Sequence, residues 1–342
     1  MYFCIMRITT ICIFLGLAVA SCSRDRLNIS VPELNHEIDV NRLDLDLAAV
    51  KNSKELESVH LRYSSNHSEF YDFYLAACLQ IGVAQDSTIL NALQEFRNDT
   101  YIQKLHEEIT RNFSNLSTEM NEFRQSLNYL HYHFPEAILP EHIIVYNSLF
   151  SNSVVSSENT IGLGIERYLG ADNAAVVELP EDPFYPYIKR RMDRQFLLRD
   201  MMMSWLGSNV LKQIEDDGEL SNVMIQWGKH LYALEACLPT IEKHLVIRYF
   251  PEELEWAVEN EREFWDYLVS QNNLFKRDYK MALNIFSDGP FTSGLPISDE
   301  APPRLGQFLG WRIVKKFMDQ NPEITLAQLM NTDFKTILRA YN

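Results

Sequence analysis

The chain has 342 residues, of which 46% are hydrophobic and 12% aromatic, with a formal net charge of −16 at pH 7. That much apolar material supports a large core and excludes a disordered chain. The charge excludes nucleic acid as a natural partner: an acidic surface repels phosphates, and no basic stripe with interleaved aromatics is present. It also resists binding to anionic lipid, so membrane contact needs some other device.

The N-terminus supplies that device. Met1–Arg7 carries one positive charge, and Ile8–Ala20 is an apolar run of 13 residues. This is the layout of an export signal over residues 1–21, too short for a membrane-spanning helix of roughly 20 apolar residues. Val19-Ala20-Ser21-Cys22 ends the run and resembles the bacterial lipobox, in which the cysteine thiol receives diacylglycerol and the chain is cut before it. Loss of residues 1–21 removes only Arg7 among charged groups, so −16 becomes −17. Acyl chains on Cys22 would give a lasting membrane anchor, each buried CH2 contributing about 0.8 kcal/mol. Ser23, where the best-known retention rule wants Asp, favours the outer membrane. Residues 22–35 read as a lipid-anchored tether and 36–342 as a single domain. Of the five cysteines, Cys22, Cys78 and Cys237 would remain. The apolar contexts of Cys78 and Cys237 fit two buried thiols, and an oxidising compartment would also permit one disulfide.

Residues 36–50 alternate and then turn leucine-rich, as a short strand entering a helix would. Residues 52–135 are helical in pattern: Leu116, Met120, Phe123, Leu127 and Leu130 lie on one helix face, and Pro135 ends the segment. Residues 142–165 are β-rich and broken by Ser/Asn turns, predicting a small sheet or hairpin. Residues 171–192 are loop-like. The stretch 196–211, FLLRDMMMSWLGSNVL, is apolar nearly all round and predicts a helix in the middle of the domain. A helix over 219–236 follows, and another starts near Pro251 with Leu254, Val258, Trp265 and Leu268 on its apolar face. A long Gly/Pro/Ser loop spans 286–303, before helical stretches at about 304–319 and 325–341. The fold class expected is mainly α with a small β-sheet, α+β.

Catalytic motifs are missing. HExxH, GxSxG and the P-loop do not occur, and Gly162-Leu-Gly164 fails GxGxxG at Arg167, leaving a turn or close backbone packing as its use. His131, His133 and Glu136 make the tightest metal-like spacing, but i and i+2 do not face each other on a helix, so they read as a polar helix end. The carboxylate pairs Asp216/Asp217 and Glu252/Glu253 read as solvated turns and helix starts. Asp200 differs: in an apolar helix its charge needs a partner, for which Arg167 or Arg190 is the expectation. The role is either a structural ion pair or a functional one. No cofactor is expected.

Several dispersed stretches are distinctive together: RYLGAD (167–172), MIQWGKHLYALEACLP (224–239), WAVENEREFWDYLV (256–269), GPFTSG (289–294) and PPRLGQFLGWRIVKKFM (302–318). With the lipobox, they make the chain resemble the gliding motility lipoprotein GldB family over essentially its whole length past the signal. Arg304, Gly306, Gly310, Trp311 and Val314 stand in the family's order; Pro303 departs from it, occupying a position where glycine is expected. The resemblance implies an envelope lipoprotein required for gliding, partnered by other gliding and type IX secretion proteins and lipid-anchored in the outer membrane facing the periplasm. The family is also similar to predicted HExxH zinc peptidases. In that comparison helix 196–211 is the metal helix, a strand such as TIGLGIERYLG borders the cleft, and Asp200-Met201-Met202-Met203-Ser204 takes the place of HExxH. Met201 cannot act as a general base and Ser204 is a poor zinc ligand, so the scaffold would be a degenerate, noncatalytic peptidase. The alternatives are a metal-dependent hydrolase with an unrecognised site and a ligand-binding lipoprotein, the latter lacking the usual strand–helix alternation.

Overall fold

The computed structural model describes residues 26–215, 219–292, 298 and 300–341. Cys22, the Asp216/Asp217 pair and the end of the GPFTSG stretch lie outside them. Four strands form one mixed sheet: β1 (Asp39–Arg42), β2 (His142–Tyr146), β3 (Val154–Ser156) and β4 (Thr160–Gly164). The order is β1-β2-β4-β3, parallel except for β3, which runs antiparallel along one edge. The expected strand-to-helix entry at 36–50 is present, with α1 (Leu43–Ala49) following β1 directly.

Period-two alternation makes this sheet a divider. Ile144 and Tyr146 of β2 join a core with α1, α2 (Ser53–Asn66), α3 (Ser68–Phe73) and α4 (Ile89–Asn98). Ile143 and Val145, with Ile161 and Leu163 of β4, face the larger core on the other side. Gly162 permits the close approach of α3: a Cβ there would lie 2.3 Å from the Phe70 ring. The Gly162/Gly164 pair therefore serves packing.

The larger core begins with α5 (Thr100–Phe113) and α6 (Ser117–His133), whose five predicted face residues are all buried. After the sheet come two short helices, α7 (Ala174–Val177) and α8 (Pro186–Arg190), in the stretch expected to be loop. Then follow α9 (Leu197–Trp205), α10 (Leu220–Cys237), α11 (Lys243–Val246), α12 (Pro251–Glu259) and α13 (Glu261–Ser270). The chain closes with α14 (Tyr279–Phe286), α15 (Leu305–Gln320), α16 (Leu326–Asn331) and α17 (Phe334–Leu338). The helix expected from Pro251 breaks at Asn260, which turns Val258 outward to 47% exposure while Trp265 and Leu268 stay buried.

One sequence expectation is corrected, and one of two readings is selected. Residues 26–35 do not hang free: Leu27 is buried in the main core, and the Arg26 guanidinium donates to the backbone oxygens of Met318, Asn321 and Ile324. A polar stretch scored by composition hides such anchors, because one leucine and one arginine suffice to dock it. Cys78 and Cys237 are both buried free thiols in different cores, so the disulfide alternative falls away.

Candidate functional site

Helix α9 lies against the sheet beside its edge, where Ser204 Oγ is 2.8 Å from Ser156 Oγ of β3. The strand bordering α9 at this contact is thus β3, one position outside the predicted TIGLG strand. Asp200, one turn earlier, faces a buried charge network. Arg248 Nε is 3.1 Å from each Asp200 carboxylate oxygen, Arg199 Nη1 is 3.0 Å from Oδ1, and the Tyr168 hydroxyl donates to Oδ2 at 3.1 Å. Met201 is fully buried in the main core.

The expectation of Arg167 or Arg190 as the partner is wrong. Arg167 donates to the Phe150 carbonyl and Ser153, and Arg190 pairs with Glu252. Arg248 takes the position because it follows α11 in left-handed conformation, φ 62°, which swings its side chain back over the Phe196 ring toward α9. Loop geometry of that kind leaves no periodic signal in a sequence.

The network continues past Asp200. Arg191 donates to the Arg248 carbonyl and to Glu253, and sits 3.6 Å from Asp288; Arg304 pairs with Asp288 at 2.9 Å. Four guanidinium groups thus surround three carboxylates. Burial alone would raise the Asp200 carboxyl, but Arg248 and Arg199 outweigh it and hold the group below the usual range. Arg304 is pushed down to about 10 by burial and its arginine neighbours, with Asp288 opposing. The network borders a hollow of about 550 Å³ whose wall includes Arg199, Trp227, Asp288, Arg304 and Gln307.

Chemically, Asp200 is fixed as an ionised acceptor. It is poorly placed to take a proton, and binding a metal would require displacing Arg248. The arrangement works as a clamp joining α9, the turn Ile165–Tyr168 and the segment after α11.

RYLGAD brings Tyr168 and the 302–318 stretch brings Arg304 to this network, and the 224–239 and 302–318 stretches form the helix pair behind it. α10 and α15 cross with backbones in contact: a Cβ on Gly310 would lie 1.9 Å from the Met224 carbonyl oxygen, and one on Gly228 would lie 2.2 Å from that of Gly310. Gly306 gives room to the Phe286 ring, and Val314 packs at Gly228. Trp311 Nε1 donates to the buried Glu235 at 2.8 Å, and Lys243 and Lys315 complete its shell at 2.6 and 2.7 Å. Glu235 went unnoticed in the sequence, although the rule that singled out Asp200, a carboxylate in an apolar helix, applies equally to LYALEACLP. At Pro303 the departure is absorbed: the left-handed residue is Arg304, φ 62°, while the Pro303 carbonyl accepts from Tyr249.

A profile of the gliding motility protein GldB matches residues 24–342. The chain belongs to that family. Neither a curated protein nor a solved structure matches it significantly. Family membership makes this GldB-family chain a gliding-motility-associated lipoprotein of the cell envelope. Among the described residues no helix is long and apolar enough to cross a membrane.

Among the described residues, His131, His133 and Glu136 form no converging group, whereas Asp39, His67 and His142 do. That group is drawn from three distant parts of the chain, so spacing could not reveal it.

Proposed function

We propose that this GldB-family chain is a noncatalytic lipoprotein that supports the gliding machinery and type IX export through protein contacts. It is anchored by acylated Cys22 in the outer membrane and faces the periplasm. The observation that carries the reading is the clamp at Asp200: on the helix compared with the peptidase metal helix, the carboxylate is neutralised by Arg248 and Arg199, Met201 is core, and Ser204 is tied to Ser156. Each of the three positions performs a packing task that a zinc site would have to undo. This supports a degenerate peptidase scaffold kept for its shape.

Crosslinking of intact envelopes followed by capture of the chain, with Cys22 present, tests the reading. Gliding or type IX components should be recovered, and recovery should fall with Cys22→Ala. Capture of none of these components, from cells that glide, would contradict it.

A further inference from the structure

At the sheet edge opposite β3, three potential ligands meet. Asp39 opens β1 and His142 opens β2, and the two are register partners in the parallel ladder. Side chains at paired positions of adjacent strands share a face. His142 has the same parity as Ile144 and Tyr146, so it points toward the α1–α4 side. His67 waits there, at the single residue joining α2 to α3. Its ring stands edge-on to that of His142, with centroids 4.9 Å apart.

The ligand atoms of all three residues lie within 4.8 Å of one another. His142 Nδ1 is 3.6 Å from Asp39 Oδ2, and this nitrogen is buried without a hydrogen-bond partner. A buried ring nitrogen left unmatched is uncommon and asks for an acceptor, a donor or an ion.

We propose that Asp39, His67 and His142 bind one divalent transition-metal ion of the zinc class, with a coordination position left open to solvent. Two imidazoles and one carboxylate are borderline donors that suit zinc. Metal–ligand bonds of about 2.0–2.2 Å place tetrahedral ligand atoms roughly 3.3–3.6 Å apart. The His142–Asp39 pair is already near that spacing, and side-chain rotation brings His67 in. Supporting contacts exist: Asn41 Nδ2 donates to Asp39 Oδ2 at 2.8 Å, and the Tyr63 ring packs against His67. Arg62 is the opposing charge nearby, and its ion pair with Asp46 occupies it.

Asp39 is 62% exposed in its side chain and His142 28%, so the fourth position faces outward. The site would tie the free edge of the sheet to the α2–α3 junction and offer the ion to a donor from a partner. It lies across the sheet from α9 and takes no part in the Asp200 clamp.

The test uses the purified full chain, dialysed against Zn²⁺ and assayed by elemental analysis, with Co²⁺ absorption as an independent readout. One ion per chain and visible Co²⁺ bands of a low-coordinate site are expected. Asp39→Asn, at an exposed position that leaves folding intact, and His67→Gln should each weaken affinity about tenfold or more. An ion-free wild-type chain with no Co²⁺ bands would overturn the proposal. So would an ion whose affinity is the same in both variants, since it would then sit elsewhere.

Discussion

Gly310→Ala probes the crossing of α10 and α15. The added Cβ would lie 1.9 Å from the Met224 carbonyl oxygen and 2.8 Å from its carbon, both backbone atoms that no rotamer change can move. Real Cβ atoms stay at least 3.0 Å away, so the helices must part locally by about 1.1 Å, for which overpacking costs about 1–3 kcal/mol. The rigid obstacle argues for the upper end. Alanine offsets about 1 kcal/mol through its helix propensity. The net loss should be about 2 kcal/mol, close to a thirtyfold fall in the folded-to-unfolded ratio. Urea unfolding followed by circular dichroism measures it. Gly207→Ala is the control, because nothing lies within 4 Å of its added Cβ; its stability should be unchanged or higher. A Gly310→Ala chain as stable as the control would refute the backbone-contact account.

Other perturbations have different signatures. Asp200→Asn leaves Arg248 and Arg199 buried without their counter-charge and should destabilise by about 3–5 kcal/mol in the same unfolding assay; a loss below about 1 kcal/mol would mean the clamp is dispensable. Glu166 is fully buried and its carboxyl is pushed up to about 7 by burial, against hydrogen bonds from Ser148 and Phe150. The folded state therefore holds a proton that the unfolded state releases near pH 4.5, so this group's contribution declines as pH rises from about 4.5 to 7, by about 3 kcal/mol. Relative to Glu166→Gln, the wild type should lose stability between pH 5 and 8; parallel pH profiles would contradict that. Cys22→Ala should abolish fatty-acid labelling and release the chain from membranes, and unchanged labelling would exclude Cys22 as the anchor.

What the sequence revealed follows the reach of each physical signal. The α6 face from Leu116 to Leu130 was legible because helical periodicity is local and strong. The β-rich texture of 142–165 marked a sheet, yet its parallel pairing with β1, a hundred residues away, has no local trace. Asp200 stood out because a charge in an apolar helix is anomalous by itself. Its partner Arg248 did not, since a left-handed residue after a four-residue helix decides where that guanidinium goes. Gly310 of α15 was visible as a motif residue, but only the crossing explains it: Gly310 and Gly228 of α10 each make room for the other helix's backbone. Leu27 and Arg26 escaped because two residues can dock a segment whose average composition is that of a linker.

The most direct test of the noncatalytic account is complementation of a gene deletion in a gliding host, scored as colony spreading. The deletion should stop spreading. Re-expression of the wild-type chain, or of Ser204→Ala, should restore it fully, because Ser204 contributes only a hydrogen bond to Ser156. Normal spreading of the deletion strain would contradict the role in motility. Failure of a folded, membrane-anchored Ser204→Ala chain to restore spreading would contradict the claim that α9 serves as scaffold alone.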